Sequence, residues 1–264
     1  MPTFAADDGC AIAYDVFDEE LELDDDPAAA VPIVLHHGFG ADANINWFRP
    51  GLVDALVDEG RVVVTFDARG HGRSDKPGEP ASYGPARMAR DVVQLADHLG
   101  VARYDLVGYS MGAVIALHTG AADGRIRRLV LGGIGGAIVD ADLRAERREH
   151  LSHLMDGLAK GDTSAMAEAA GGLFRAIASG NEADVAALRA VMEANVAAEG
   201  TPPPAGEITA PTLVIVGDAD PLAPYADRLA AAIPGSELRV VPGDHLGALA
   251  RPELRAALLA FLTL

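Results

Sequence analysis

An α/β fold built on a mostly parallel sheet is predicted by two features of this 264-residue sequence. Short β-branched runs recur along the chain, and segments with helical spacing of apolar residues separate them. Such alternation implies right-handed crossovers and parallel neighbouring strands. A third feature marks where the alternation stops: from about residue 134 to 206 helical patterns succeed one another with no strand between them.

The strands are expected at Ala11–Phe17, Ile33–His36, Val62–Phe66, Tyr104–Val107, Ile126–Leu131, Leu213–Val216 and Leu238–Val241. Between them, Met88, Val92, Leu95 and Leu99 fall on one helical face, and Leu254, Leu258 and Phe261 do so after Pro252, a favourable first helical residue. Met111–Ala122 is apolar almost all round, as in a helix buried behind a sheet. In the interrupted region the patterns are Leu151, Leu154, Met155, Leu158, then Met166, Ala170, Leu173, Phe174, Ile177, then Val185, Leu188, Met192, Val196. Thr201 and three prolines close it with a stiff linker. The division expected is a core of residues 1–133 and 207–264 carrying a helical cap, or lid, at 134–206. Extra helical packing without a binding role is the plainer alternative for the insertion.

Composition excludes several classes. Half of the residues are hydrophobic, which is incompatible with disorder as the main state. Lys and Arg number 21 against 39 Asp and Glu, a net charge of −18 that repels nucleic acid and anionic lipid. Seven acids fall within Asp18–Asp26, a pattern expected of a solvated hairpin tip. Cys10 is the only cysteine, so neither an intrachain disulfide nor a multi-cysteine metal site can form. The first ten residues lack a basic start and an apolar stretch, no apolar run is long enough to span a bilayer, and a cytoplasmic protein is expected.

The chemistry concentrates at strand ends. Gly108-Tyr109-Ser110-Met111-Gly112 follows one strand and opens the apolar helix, which is the setting of a nucleophile elbow. A serine hydroxyl is a poor nucleophile, so a sharp turn must present Ser110 beside a base. His36-His37-Gly38-Phe39-Gly40 closes an earlier strand. Its loop can supply one backbone N–H to an oxyanion, at Phe39, while Met111 supplies the other. After the last two strands come Gly217-Asp218-Ala219-Asp220-Pro221 and Gly243-Asp244-His245, at the carboxyl ends of strands, where open α/β sheets put their sites. His245 is the expected base, so activity is expected to rise with pH as its imidazole loses a proton. Asp220 is preferred as its orienting carboxylate, and Asp218 is assigned to loop backbone donors. His37 is expected to brace the oxyanion loop, and the Asp67–Asp75 loop to fix its own geometry. His118 reads as a core residue, and His150 with His153 offers too few ligands for a metal.

These motifs, GYSMG, HGFG, DARGHGRSD, GDADP and GDH, resemble in order and position those of the α/β-hydrolase superfamily. Its small bacterial esterase, lactonase and cofactor-free haloperoxidase-like branch is the most similar part. The resemblance covers about Pro32–Leu131 and Thr212–Leu264 and leaves the cap unmatched. It implies an eight-stranded, mostly parallel sheet with helices on both faces and a cap after the sixth strand. It also implies catalytic Ser110, Asp220 and His245, oxyanion amides at Phe39 and Met111, and ester hydrolysis through an acyl-enzyme without metal or cofactor. Relatives with a dehalogenase role carry aspartate where this chain has Ser110. Gly40–Trp47 departs from the proline-containing turn of many relatives, which bears on pocket width.

The expected substrates are small to medium apolar carboxylic esters or lactones, in a pocket to which Trp47, Leu154, Leu158 and Phe174 contribute. Trp47 either lines that pocket or anchors the next helix. Arg144, Arg147 and Arg148 either grip a substrate carboxylate or form a solvated face. The alternative functions are an enol-lactonase or C–C bond hydrolase using the same three residues, and a non-catalytic ligand receptor on the same fold. Perhydrolysis would be a side reaction of the acyl-enzyme. Oligomeric state is not legible in the sequence.

Overall fold

A computed structural model describes residues 2–17, 31–159, 185–198 and 202–263. Eight strands form one sheet: β1 Thr3–Ala5, β2 Ala11–Phe17, β3 Ile33–His36, β4 Val63–Phe66, β5 Tyr104–Tyr109, β6 Ile126–Gly132, β7 Thr212–Gly217 and β8 Glu237–Val241. Their spatial order is β1-β2-β4-β3-β5-β6-β7-β8. The first two pairings are antiparallel and the other five parallel. This is the eight-stranded, mostly parallel sheet that the family resemblance implies.

Every residue of β3, β4, β5 and β7 is buried, which explains why these strands read as continuous apolar runs. Alternate side chains enter two cores. Val34, Val64, Leu106, Leu129 and Val214 face one layer, and Ile33, Leu35, Val107, Val130 and Ile215 the other. The first layer holds α2 (Pro85–His98), α3 (Met111–Ala122) and α6 (Ala226–Ala232), and the second holds α1 (Leu52–Asp58) and α7 (Pro252–Thr263). β8 forms an edge, with exposed Glu237 and Arg239 discouraging pairing with another sheet.

Two further helices, α4 (Ala141–Ala159) and α5 (Val185–Ala198), lie between β6 and β7 and pack against each other. Leu188, Ala190, Val191 and Met192 of α5 join the first core beside Phe39, Tyr83 and Met111. The expected helix over Met166–Ile177 and the acidic run Asp18–Asp26 lie outside the described residues. Among the described residues, no helix is long and apolar enough to cross a membrane.

Three short elements escape the pattern reading: β1, α1 and α6, of 3, 7 and 7 residues. Each has too few residues to display a full period.

Parallel register carries the strand ends to one side. His36 pairs with Phe66 and Gly108, Gly108 with Leu131, and Gly217 with Val241. The loops after β3, β5, β7 and β8 therefore emerge together.

Candidate active site

Ser110 stands between β5 and α3 with φ 56° and ψ −116°, a conformation disfavoured for a residue with a Cβ. Such backbone strain costs about 1–3 kcal/mol and persists only where the surroundings enforce it. Here its N–H donates to the Gly132 carbonyl at 2.8 Å, and its carbonyl accepts from Ala113 and Val114 as α3 begins. The flanking glycines are steric necessities. A Cβ on Gly108 would meet the carbonyl of Gly112, and one on Gly112 the carbonyls of His36 and His37.

His245 and Asp220 meet from β8 and β7. His245 Nδ1 lies 2.8 Å from Asp220 Oδ2, and both side chains are buried. A carboxylate accepts, so Nδ1 carries the proton and Nε2 is a bare acceptor. That Nε2 is buried and has no hydrogen-bond partner among the described residues. The second Asp220 oxygen accepts the Leu222 N–H at 2.9 Å, which fixes the carboxylate. Asp218 is exposed and accepts the Gly243 N–H at 2.9 Å, binding the two loops together without touching His245.

A small cavity of ≈ 20 Å³ joins these parts, with Gly38, Phe39, Ile45, Asn46, Ser110 and His245 on its walls. Its loop after β3 is pinned at several points. Ala68 N–H donates to His37 Nε2 at 2.9 Å, so the opposite nitrogen holds the proton and donates to the Gly38 carbonyl at 2.8 Å. Across a trans peptide, the Phe39 N–H then points away from His37. Gly38 N–H donates to Asn46 Oδ1 at 2.9 Å. Asp67 accepts the Ala43 N–H at 3.1 Å and binds Arg73 through both N–H and Nε, so the loop after β4 supports its neighbour. Burial holds His37 well below the ordinary histidine value, keeping it neutral.

Met111 is the first residue of α3, where an N–H has no intrahelical acceptor and forms part of the positive end of the helix dipole. Ser110, His245, Asp220, Phe39 and Met111 are thus gathered on one side of the sheet, at the ends of four strands.

The pocket residues fare differently. Trp47 is absent from the cavity wall; it is 1% exposed and packed in the second core with Leu35, Leu52 and Tyr109, which makes it a helix anchor. The side chains of Leu154 and Leu158, and all of Phe174, lie outside the described residues. None of Arg144, Arg147 and Arg148 reaches the cavity wall. His118 is half-buried on α3, away from that wall.

Two residues of the site were not anticipated. Tyr109 donates its hydroxyl to the His245 carbonyl at 2.5 Å, tying the elbow to the histidine loop. Its place inside the five-residue elbow motif was the available signal. Asn46 lies in a π-helical turn, Asn44–Phe48, whose register no apolar periodicity announces.

Comparison with known proteins agrees with this architecture. The sequence profile of the family described as alpha/beta hydrolase fold matches residues 31–145. The structure is similar to the enol-lactonase from Burkholderia xenovorans LB400, with TM-score 0.75 and 27% identity over the whole of both chains. It is also similar to Est816, described as an N-acyl homoserine lactone degrading enzyme, with TM-score 0.70 and 29% identity over 98% of this chain and 100% of that one. In sequence, 133 residues are 32% identical to the sn-1-specific diacylglycerol lipase ABHD11 of Danio rerio, covering 49% of this chain and 38% of the lipase. The first curated relatives are matched over only 38%, 28% and 38% of their own lengths.

Proposed function

Because the chain belongs to the α/β-hydrolase superfamily, we propose that it is a serine hydrolase that cleaves carboxylic esters of small to medium apolar substrates through an acyl-enzyme. One observation carries the reading. A histidine held by Asp220 at 2.8 Å keeps Nε2 without a hydrogen-bond partner among the described residues, Ser110 Oγ included, and His245 and Ser110 line one cavity.

In this reading, Ser110 Oγ attacks the ester carbonyl while His245 Nε2 takes its proton. Asp220 keeps the imidazole in the required tautomer and balances the imidazolium that forms. The carbonyl oxygen becomes an oxyanion facing the N–H groups of Phe39 and Met111, and each such donor is worth about 3 kcal/mol of transition-state stabilisation. His245 then protonates the departing alcohol, activates a water against the acyl-enzyme and returns the proton to Ser110 as the acid leaves. A cap role for the insertion is part of this reading, and it is supported by α5, whose Leu188, Val191 and Met192 share a core with Phe39 and Met111.

Lactone hydrolysis is a second reading, favoured by the likeness to the Burkholderia enol-lactonase and to Est816. A lactone is an internal ester, so the same steps apply and the alcohol stays attached to the product.

The test is hydrolysis of p-nitrophenyl esters of graded chain length, alongside an enol-lactone and an N-acyl homoserine lactone. Turnover that vanishes in Ser110→Ala supports the mechanism. Turnover that survives this substitution unchanged would falsify it. A preference for either lactone over every open-chain ester favours the second reading.

A further inference from the structure

Asn46 is almost wholly buried, at 3% exposure, yet it stands on the cavity wall with Ser110 and His245. It is aimed there by the π-helical turn Asn44–Phe48, closed by Arg49 N–H on the Asn44 carbonyl at 3.0 Å. Such turns interrupt regular geometry and recur at functional sites. The side-chain amide has two unlike ends. Its partner, the Gly38 N–H, is a donor, so the carbonyl oxygen of the amide must face Gly38, at 2.9 Å. The NH2 group is left on the opposite side, and no residue among those described accepts from it. Among the described residues Nδ2 is not one of the sealed, partnerless side-chain atoms, so the amide end opens onto the cavity, where water or a substrate oxygen can accept from it. Besides glycines, Tyr109, Ser110 and His245, that wall carries the apolar side chains of Phe39, Ala41, Ile45 and Leu246, and it has no carboxylate.

We infer that Asn46 is a specificity-determining residue whose Nδ2 donates a hydrogen bond to an oxygen carried by the acyl part of the substrate. The substrate class is then an ester or lactone of an alkoxy, hydroxy or oxo acid, in preference to a plain alkanoate. This rests on the serine-hydrolase reading above and refines its substrate. The acyl side is assigned because Asn46 is bonded to Gly38, the residue before Phe39. A Cβ placed on Gly38 would lie only 3.3 Å from Ser110 Cβ. Nδ2 therefore keeps a fixed offset from the carbonyl undergoing attack, and that carbonyl stays bound throughout the acyl-enzyme stage while the alcohol departs. An alkyl chain in the same place would expel water and strand the NH2 group, which disfavours it by about tenfold or more.

The experiment compares p-nitrophenyl methoxyacetate with p-nitrophenyl butanoate, which differ by one oxygen in place of a methylene. The readout is the ratio of their kcat/KM values in the wild type, Asn46→Asp and Asn46→Leu. Intrinsic reactivity cancels when the ratio is compared between enzymes. Asn46→Asp keeps an acceptor for the Gly38 N–H and deletes the donors, whereas Asn46→Leu deletes both. A fall of about tenfold in the ratio in both variants is the expected result. Equal losses for the two esters, or no loss, overturn the assignment and reduce Asn46 to a brace for Gly38. A ratio that moves instead between methoxyethyl and butyl esters of one acid overturns the acyl-side claim. A wild type that hydrolyses none of these esters and resists fluorophosphonate labelling overturns the hydrolase reading itself, and this refinement with it.

Discussion

His245 and Asp220, in the loops after two adjacent parallel strands, meet through a 2.8 Å contact between Nδ1 and Oδ2. The contact sets which imidazole nitrogen is protonated, and thereby which one is free to accept a proton from elsewhere.

Asp220→Asn should therefore lower kcat about 10³- to 10⁴-fold while leaving the fold intact, because an amide can donate to Nδ1 and stabilise the wrong tautomer. Asp218→Asn, whose carboxylate accepts the Gly243 N–H, should keep most of the activity. Steady-state rates on one activated ester decide the comparison. Similar losses in the two variants would contradict the assignment of roles.

Tyr109→Phe should cost about 1–3 kcal/mol of stability, since the buried His245 carbonyl loses its donor and nothing replaces it. Urea unfolding followed by circular dichroism measures this directly. An unchanged midpoint would mean that the hydroxyl contributes nothing to holding the histidine loop.

Gly112→Ala should destabilise by about 3 kcal/mol or more, because a new Cβ runs into the His36 and His37 carbonyls and backbone cannot step aside. Gly124→Ala is the matched control, with open space around its Cβ. Comparing their melting temperatures with the parent's separates the elbow's packing demand from any general cost of alanine.

Acid should unfold the protein through His36 and His71. Burial, followed by repulsion from His37, pushes each down to about 3, against 6.5 for an unfolded histidine. The unfolded chain binds these protons first, so their contribution to stability is complete above about pH 6.5 and is lost as pH falls toward 3. At pH 5 each histidine removes about 2 kcal/mol relative to neutral pH. Urea midpoints at pH 7.5 and 5 should show the fall, to which burial of His37 and His118 adds, and His71→Leu should reduce it by about 2 kcal/mol. A pH-independent midpoint across that range would contradict it.

Much of this arrangement is legible in the string of residues, for identifiable reasons. β3, β5 and β7 are buried on both faces and leave apolar runs bounded by glycine. Ser110 sits in a motif whose spacing follows from steric contacts of Gly108 and Gly112, so geometry and sequence carry the same information. Asp220 is preferred over Asp218 because turn aspartates commonly accept from loop backbone, and Asp218 does accept the Gly243 N–H while Asp220 meets His245. Asn46 was hidden because its role depends on a turn that follows no repeating pattern. The direction of Trp47 could not be read either, since an aromatic beside a loop satisfies a pocket and a core equally well.

Covalent labelling by a fluorophosphonate, read by intact-protein mass spectrometry and peptide mapping, tests the central claim most directly. The predicted result is one adduct per chain on Ser110, formed quickly in the wild type, absent in Ser110→Ala and strongly slowed in His245→Ala. A wild type that stays unmodified, or an adduct that persists in Ser110→Ala, would contradict an activated serine at this position.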